Sequence, residues 1–260
     1  MGLPPPRDRP GGGVAGGAAR PVHRGVLHLA VRRLRPRAIL LDALGTLVEL
    51  EPPAPALRTE LSRRFGLELG EADCKRAIAA EIAFYRAHLD EGRDADGLAA
   101  LRLRCAAALH AALPLAAQAA LADLDALRDA LLASLRFAAY ADAGPALTRW
   151  RRRGLRLVVV SNWDCSLHGV LDRVALGGSL DGVVTSAEAR ARKPAPAIFE
   201  RALALAGVTA AEAIHVGDSL EEDALGARAA GIEPVLVRRS PDDTPTTGVR
   251  TVSSLSELLP

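Results

Sequence analysis

Four short segments put a side chain suited to phosphate or metal chemistry at or near the end of an apolar run. Asp42 follows Ala38-Ile39-Leu40-Leu41, and Ser161-Asn162 follows Leu157-Val158-Val159-Val160. Lys193 precedes Pro194-Ala195-Pro196, and Gly217-Asp218 follows Ala213-Ile214-His215-Val216. A carboxylate at a strand end can be a helix cap, a nucleophile or a metal ligand. Gly45 lets the chain turn sharply after Asp42, and Thr46 offers a hydroxyl to an anion. Ser161 and Asn162 suit anion binding or helix capping. Two carboxylates converging on a phosphate would repel it, and a hard divalent cation with oxygen ligands resolves the conflict. Lysine occurs only at Lys75 and Lys193, against 31 arginines, so a lysine kept at position 193 is informative.

The elements that must hold these groups follow from the pattern. Residues 38–50 read as a buried parallel strand running into a Gly-Thr turn, and Pro52, Pro53 and Pro55 then break the chain. Ala56 to Phe137 is Ala/Leu-rich and helical in period, with breaks near Gly66–Gly70, Gly92–Gly97 and Pro114 and no strand signal. After Tyr140, strands are expected at Leu155–Val160, Gly182–Thr185, Ala213–Val216 and Pro234–Val237. Helices are expected near Pro145–Arg153, Ser166–Leu176, Ala195–Ala206 and Leu220–Ala230. This alternation implies an α/β fold with a parallel sheet covered on both faces. Ligands of such sheets bind beyond the carboxyl ends of the strands, where Asp42, Ser161 and Asp218 fall.

In this order the four segments resemble motifs one to four of the haloacid dehalogenase superfamily, in its subfamily with a helical cap between motifs one and two. The resemblance spans residues 38–259. It implies a Rossmann-like sheet sandwiched by helices, with core segments 38–53 and 138–260, an inserted helical cap at 54–137 and a disordered Pro/Gly/Arg-rich tail at 1–37. It further implies Asp42 as a nucleophile that forms an aspartyl-phosphate, and Lys193 as the cation beside it. Thr46, Ser161, Asn162 and Lys193 would contact substrate. Mg2+ would be held by Asp42, the backbone carbonyl of Leu44 and Asp218, with Glu222 and Asp223 supporting that site from behind. Glu221 reads as an acidic helix start, His215 as packing, and Trp163 either packs or faces the pocket. Tyr85, Arg86, His88, Arg102 and Arg104 are candidate substrate contacts from the cap.

One position departs from the resembled phosphatases. They carry a second aspartate, an acid–base group, two residues after the nucleophile, and here that residue is Leu44. General acid–base catalysis contributes roughly 10²–10⁴-fold. A slow phosphatase, or one limited to good leaving groups, is therefore expected. A metal-free 2-haloacid dehalogenase and a catalytically weak phospho-ligand binding protein are the alternatives. Asp-Ala-Leu-Gly-Thr-Leu is close to the dehalogenase pattern, but Gly217-Asp218-Ser219 is the phosphatase form.

Composition narrows the field. Hydrophobic residues make up 49% of the 260 and aromatic ones 3%, so a sizeable core of Leu, Ala and Val is expected. No apolar run reaches the roughly 18 residues of a membrane span. The net charge of +2 hides a basic start, with eight arginines against Asp8 in residues 1–37, and a mildly acidic remainder. That argues against a nucleic-acid-binding body. Cys74, Cys105 and Cys165 suit neither a disulfide framework nor a metal site. The expectation is a cytoplasmic monomer or homodimer acting on a small phosphorylated metabolite, without nucleic-acid or membrane partners.

Overall fold

β1 (Ala38–Leu41) is wholly buried and lies inside a six-stranded parallel sheet. Its neighbours are β4 (Arg156–Ser161) and β6 (Ala213–Gly217), and Leu41 lies level with Val159 and Val216. β5 (Gly182–Thr185) flanks β4, while β7 (Glu233–Val237) and β8 (Arg250–Val252) extend the other side, giving the order β5-β4-β1-β6-β7-β8. The computed structural model describes residues 1–2, 36–240 and 248–258, so the expected disordered tail lies almost wholly outside the described residues.

Alternate side chains of these apolar strands feed opposite faces, as a period of two requires. Ile39, Leu41, Leu157 and Val159 join Leu147, Trp150 and Leu171, which lie on α6 (Ala143–Arg152) and α7 (Leu167–Arg173). Ala38, Leu40, Val158 and Val160 join Ile198, Phe199 and Ala202 of α9 (Pro196–Ala206), which follows the short α8 (Ser186–Ala189). Burial on both faces explains why the strands read as continuous hydrophobic runs.

A second, two-stranded antiparallel sheet joins β2 (Val48–Leu50) to β3 (Phe137–Ala139). Between them lie α1 (Pro53–Phe65), α2 (Glu71–His88), α3 (Ala95–Ala111), α4 (Leu115–Ala120) and α5 (Leu124–Ser134). They pack their own core, including Leu57, Leu61, Ala77, Leu101, Cys105, Leu109 and Leu131. No described helix is long and apolar enough to cross a membrane.

The structure adds to the sequence expectation in several places. β2, β3 and β8 are three residues each, too short to show a period. The expected break at Gly92–Gly97 ends earlier: Asp94 caps α3 through the Gly97 N–H at 2.9 Å, so Gly97 lies inside the helix. A further break at Leu121–Asp123 separates α4 from α5. The helix expected at Leu220–Ala230 opens as a π-helical stretch, Leu220–Leu225, before α10 (Gly226–Ala229). Such wide turns recur at functional sites.

Glu81 is an acid among the apolar side chains of the helical insert, 4% exposed, and burial pushes its carboxyl up to about 7. A carboxyl raised in the folded state holds a proton there that the unfolded chain has released. Its effect on stability therefore becomes unfavourable as pH rises from the unfolded value through about 7. Glu81→Gln, which stays neutral, is expected to stabilise the protein by about 2 kcal/mol at pH 8 and by little at pH 5. Urea unfolding at the two pH values measures this, and an equal effect at both would refute it.

Candidate active site

The aligned strand ends bring Asp42, Ser161 and Asp218 onto one edge of the sheet, and the Asp42 N–H donates to Val216 O at 2.9 Å. The loop before α9 carries Lys193 into the same place. The Lys193 ammonium donates to Asp42 Oδ1 at 2.6 Å and to Asp223 Oδ1 at 2.5 Å. All three side chains are buried, with Lys193 2% exposed. The Ser161 hydroxyl also donates to Asp42 Oδ1, at 2.9 Å. Both bonds fall on the same oxygen, so Oδ2 carries the remaining capacity of the carboxylate.

Asp223 is tied down more fully. Its Oδ1 also meets His215 Nε2 at 2.9 Å, and its Oδ2 accepts from the Ser219 N–H at 2.9 Å. Gly217 makes room for it, since a Cβ there would lie 2.2 Å from Asp223 Cγ. His215, expected only to pack, does stack edge-on against Phe199, but it also joins this polar chain.

One ligand oxygen each of Asp42, Asp218 and Asp223 lies within 4.8 Å of the others. The electrostatics match that crowding. Burial raises the Asp42 carboxyl to about 6 despite Lys193, with the charges of Asp223 and Asp218 adding to the rise. Burial and the Asp223 charge push Asp218 up as well. Burial opposes charge on Lys193, yet the two carboxylates outweigh it and hold the ammonium protonated. Burial likewise opposes charge on Asp223, but Lys193 and His215 lower its carboxyl strongly. Asp223 has spent its oxygens on Lys193, His215 and Ser219, which leaves Asp42 and Asp218 as the carboxylates able to ligate a cation. Two raised carboxylates, one buried and one half-buried, with oxygen lone pairs to offer are a donor set that fits a hard divalent ion.

The other expected residues sit as follows. Asn162 spends its amide on the backbone of Lys193, accepting from its N–H at 2.8 Å and donating to its carbonyl at 3.0 Å. Its side chain therefore sets the lysine. Thr46 is buried, and its Oγ1 has no hydrogen-bond partner among the described residues. Leu44 is 36% exposed on the turn after Asp42. Glu222 is half-buried and donates its backbone N–H to Ser219 Oγ at 3.1 Å, while Glu221 is exposed. Trp163 packs in the core beside Phe137.

Of the insert residues, His88 stacks on Phe84, and Arg104 lies over the same ring while pairing with Glu91. Arg86 offers its carbonyl to Arg192 at 2.9 Å. Tyr85 is half-buried with its hydroxyl enclosed, and Arg102 is half-buried. No hydrogen bond or ion pair among the described residues joins any of the five to Asp42 or Asp218.

Residues 36–231 match the family described as haloacid dehalogenase-like hydrolase. The chain belongs to the haloacid dehalogenase-like hydrolases. It is 31% identical over 245 residues to the mouse haloacid dehalogenase-like hydrolase domain-containing protein 3, covering 88% of this chain and 94% of that protein. The bovine protein of that name matches at 48% over 87 residues, 34% of this chain and 35% of the relative. In the zebrafish protein the matched stretch is likewise only 41% of the relative's length. A ribulose-1,5-bisphosphate 5-phosphatase of Halopiger xanaduensis is 33% identical over 216 residues, 80% of this chain and 87% of that one. Among solved structures, a HAD phosphatase from Thermococcus onnurineus superposes with a TM-score of 0.58 at 25% identity, covering 85% of this chain and 95% of that chain. A 2-haloacid dehalogenase from Pseudomonas syringae shares the fold at TM-score 0.59 and 22% identity, over 86% and 96%.

Gly45 packs directly on the acid cluster. Its φ is +81°, and a Cβ there would lie 2.2 Å from Asp218 Oδ2. Gly45→Ala is expected to cost about 2 kcal/mol or more in urea unfolding, from the left-handed backbone alone and the displaced carboxylate together. An unchanged urea midpoint would contradict this packing.

Proposed function

We propose that this hydrolase cleaves a small phosphorylated metabolite with Mg2+ and an aspartyl-phosphate intermediate on Asp42. The observation that carries the reading is the convergence of Asp42, Asp218 and Asp223 within 4.8 Å, with the Lys193 ammonium 2.6 Å from Asp42. The phosphatase names of the Halopiger relative and of a Thermus thermophilus phosphoserine phosphatase, 35% identical over 126 residues, support it. Asp42, Asp218 and the carbonyl of Leu44 would hold the ion, which when bound neutralises charge on the carboxylates and the phosphoryl oxygens. The helices between residues 54 and 137 would form a cap that closes over the site, and the chain would act in the cytoplasm as a monomer or homodimer.

The residues of the chain divide the remaining work. A carboxylate oxygen of Asp42 attacks phosphorus while the bond to the leaving oxygen breaks and its electron pair departs with that oxygen. Lys193 and Ser161 hold Asp42 Oδ1, so the carboxylate keeps one orientation during attack. Asn162 and Asp223 fix the lysine from its two ends. Water then attacks the phosphoryl group, the bond from phosphorus to the Asp42 oxygen breaks with its electron pair returning to the carboxylate, and the proton of that water leaves with the phosphate or to solvent. Leu44 has no proton to give the leaving oxygen or to take from that water. Substrates whose leaving group departs as a stable anion are therefore favoured, such as acyl phosphates, which release a carboxylate.

Two experiments test this. Phosphate release from a panel including acetyl phosphate and phosphomonoesters should require Mg2+ and fall by about 10³-fold or more in Asp42→Asn. Activity unchanged by that substitution, or chloride release from a 2-haloacid in the presence of chelator, would overturn the reading. Leu44→Asp restores a proton carrier at a half-exposed position. It should raise turnover of simple phosphomonoesters by roughly 10²-fold or more, with a smaller gain on acetyl phosphate. An equal effect on both substrates would remove the leaving-group argument.

A further inference from the structure

Arg239, just beyond β7, is far from Asp42 in sequence and outside the acid cluster. Its guanidinium nevertheless meets four groups at once. Nε donates to Gly45 O at 3.2 Å, and one terminal nitrogen donates to Thr46 O. The other donates to Asp142 Oδ2 at 3.1 Å, and the flat group stacks on Tyr140 with 3.7 Å from its carbon to the ring centroid. Asp142 is held in turn by the Ser254 hydroxyl at 2.7 Å and the Leu255 N–H at 2.8 Å. The preceding residue, Arg238, donates to Asp218 O at 2.5 Å.

The partners of Arg239 are not scattered. Gly45 and Thr46 form the turn between Asp42 and β2, whereas Tyr140 and Asp142 follow β3. The arginine thus ties the start of the outgoing strand to the end of the returning one. The turn it holds contains Leu44 and rests on Asp218 through Gly45. A planar fork that bridges two carbonyls and a carboxylate while stacked on an aromatic ring is arginine chemistry that lysine cannot copy.

We propose that Arg239 is a positioning residue. It clamps the turn at residues 43–48 and so sets the Leu44 carbonyl against Asp218. The link to a metal rests on the proposed Mg2+-dependent reading, but the clamp itself does not. The turn's own amides report on it, because Gly45 N–H bonds Val48 O at 2.8 Å and the Leu47 and Val48 N–H groups bond Ala43 O at 2.8 and 2.9 Å.

The test compares the full chain with Arg239→Gln, Arg239→Lys and Tyr140→Leu by amide hydrogen exchange, and by Mg2+ titration calorimetry without substrate. Arg239→Gln should speed exchange at residues 43–48 about ten-fold while leaving residues 157–161 unchanged, and weaken Mg2+ binding about ten-fold. Arg239→Lys should fail to rescue either. Exchange that rises equally in both segments, or stays within two-fold of wild type at residues 43–48, overturns the clamp. If Arg239→Gln does not fold, Tyr140→Leu must show the local pattern, or the proposal falls. A wild-type chain that binds no Mg2+ defeats the metal reading alone, since exchange still decides the clamp.

Discussion

Lys193 sits between two buried carboxylates, 2.6 Å from one and 2.5 Å from the other, and the arrangement of the site follows from that contact. Each of the three charges is tolerable in the interior only because the others are there, since an unpaired buried ion costs several kcal/mol. The lysine cannot satisfy everything, however. Asp218 adds a third carboxylate to the same space, and burial together with Asp223 drives its carboxyl upward. The protein has therefore assembled more negative charge than its own cation neutralises. That imbalance is the physical basis for expecting a divalent ion there.

The sheet makes this meeting possible. β1 lies between its parallel neighbours β4 and β6, so Asp42 emerges beside Ser161 and Asp218 although each is more than a hundred positions from it in the chain. Asn162 and His215 then convert proximity into orientation. One grips the backbone of Lys193, and the other buttresses the carboxylate at the far end of its side chain. These contacts are polar and lie partly or wholly out of solvent, which favours a single geometry.

Much of this was legible in the residues. Continuous apolar runs marked β1, β4 and β6 because they are covered on both faces, and the groups at their ends could be read as a site. The rarity of lysine singled out Lys193. What stayed hidden was of two kinds. Three-residue strands such as β8 carry no period, and the π-helical opening at Leu220 depends on how Ser219 and Asp223 bond locally. Partner choice was also illegible. That the side-chain amide of Asn162 would bond the backbone of Lys193 could not be read, and His215 looked like packing but also bonds Asp223. Arg239 was one of 31 arginines until folding brought Gly45, Thr46, Asp142 and Tyr140 around it.

The paired strands β2 and β3 carry one more implication. Val48 lies opposite Ala139 and Leu50 opposite Phe137, so the helical segment leaves and rejoins the sheet at a single doorway. A segment whose two ends are neighbours can be exchanged for another of different size without moving the carboxylates beside the doorway. Evolution could thus swap the stretch between these strands as one cassette, and a laboratory chimera would place its two junctions there.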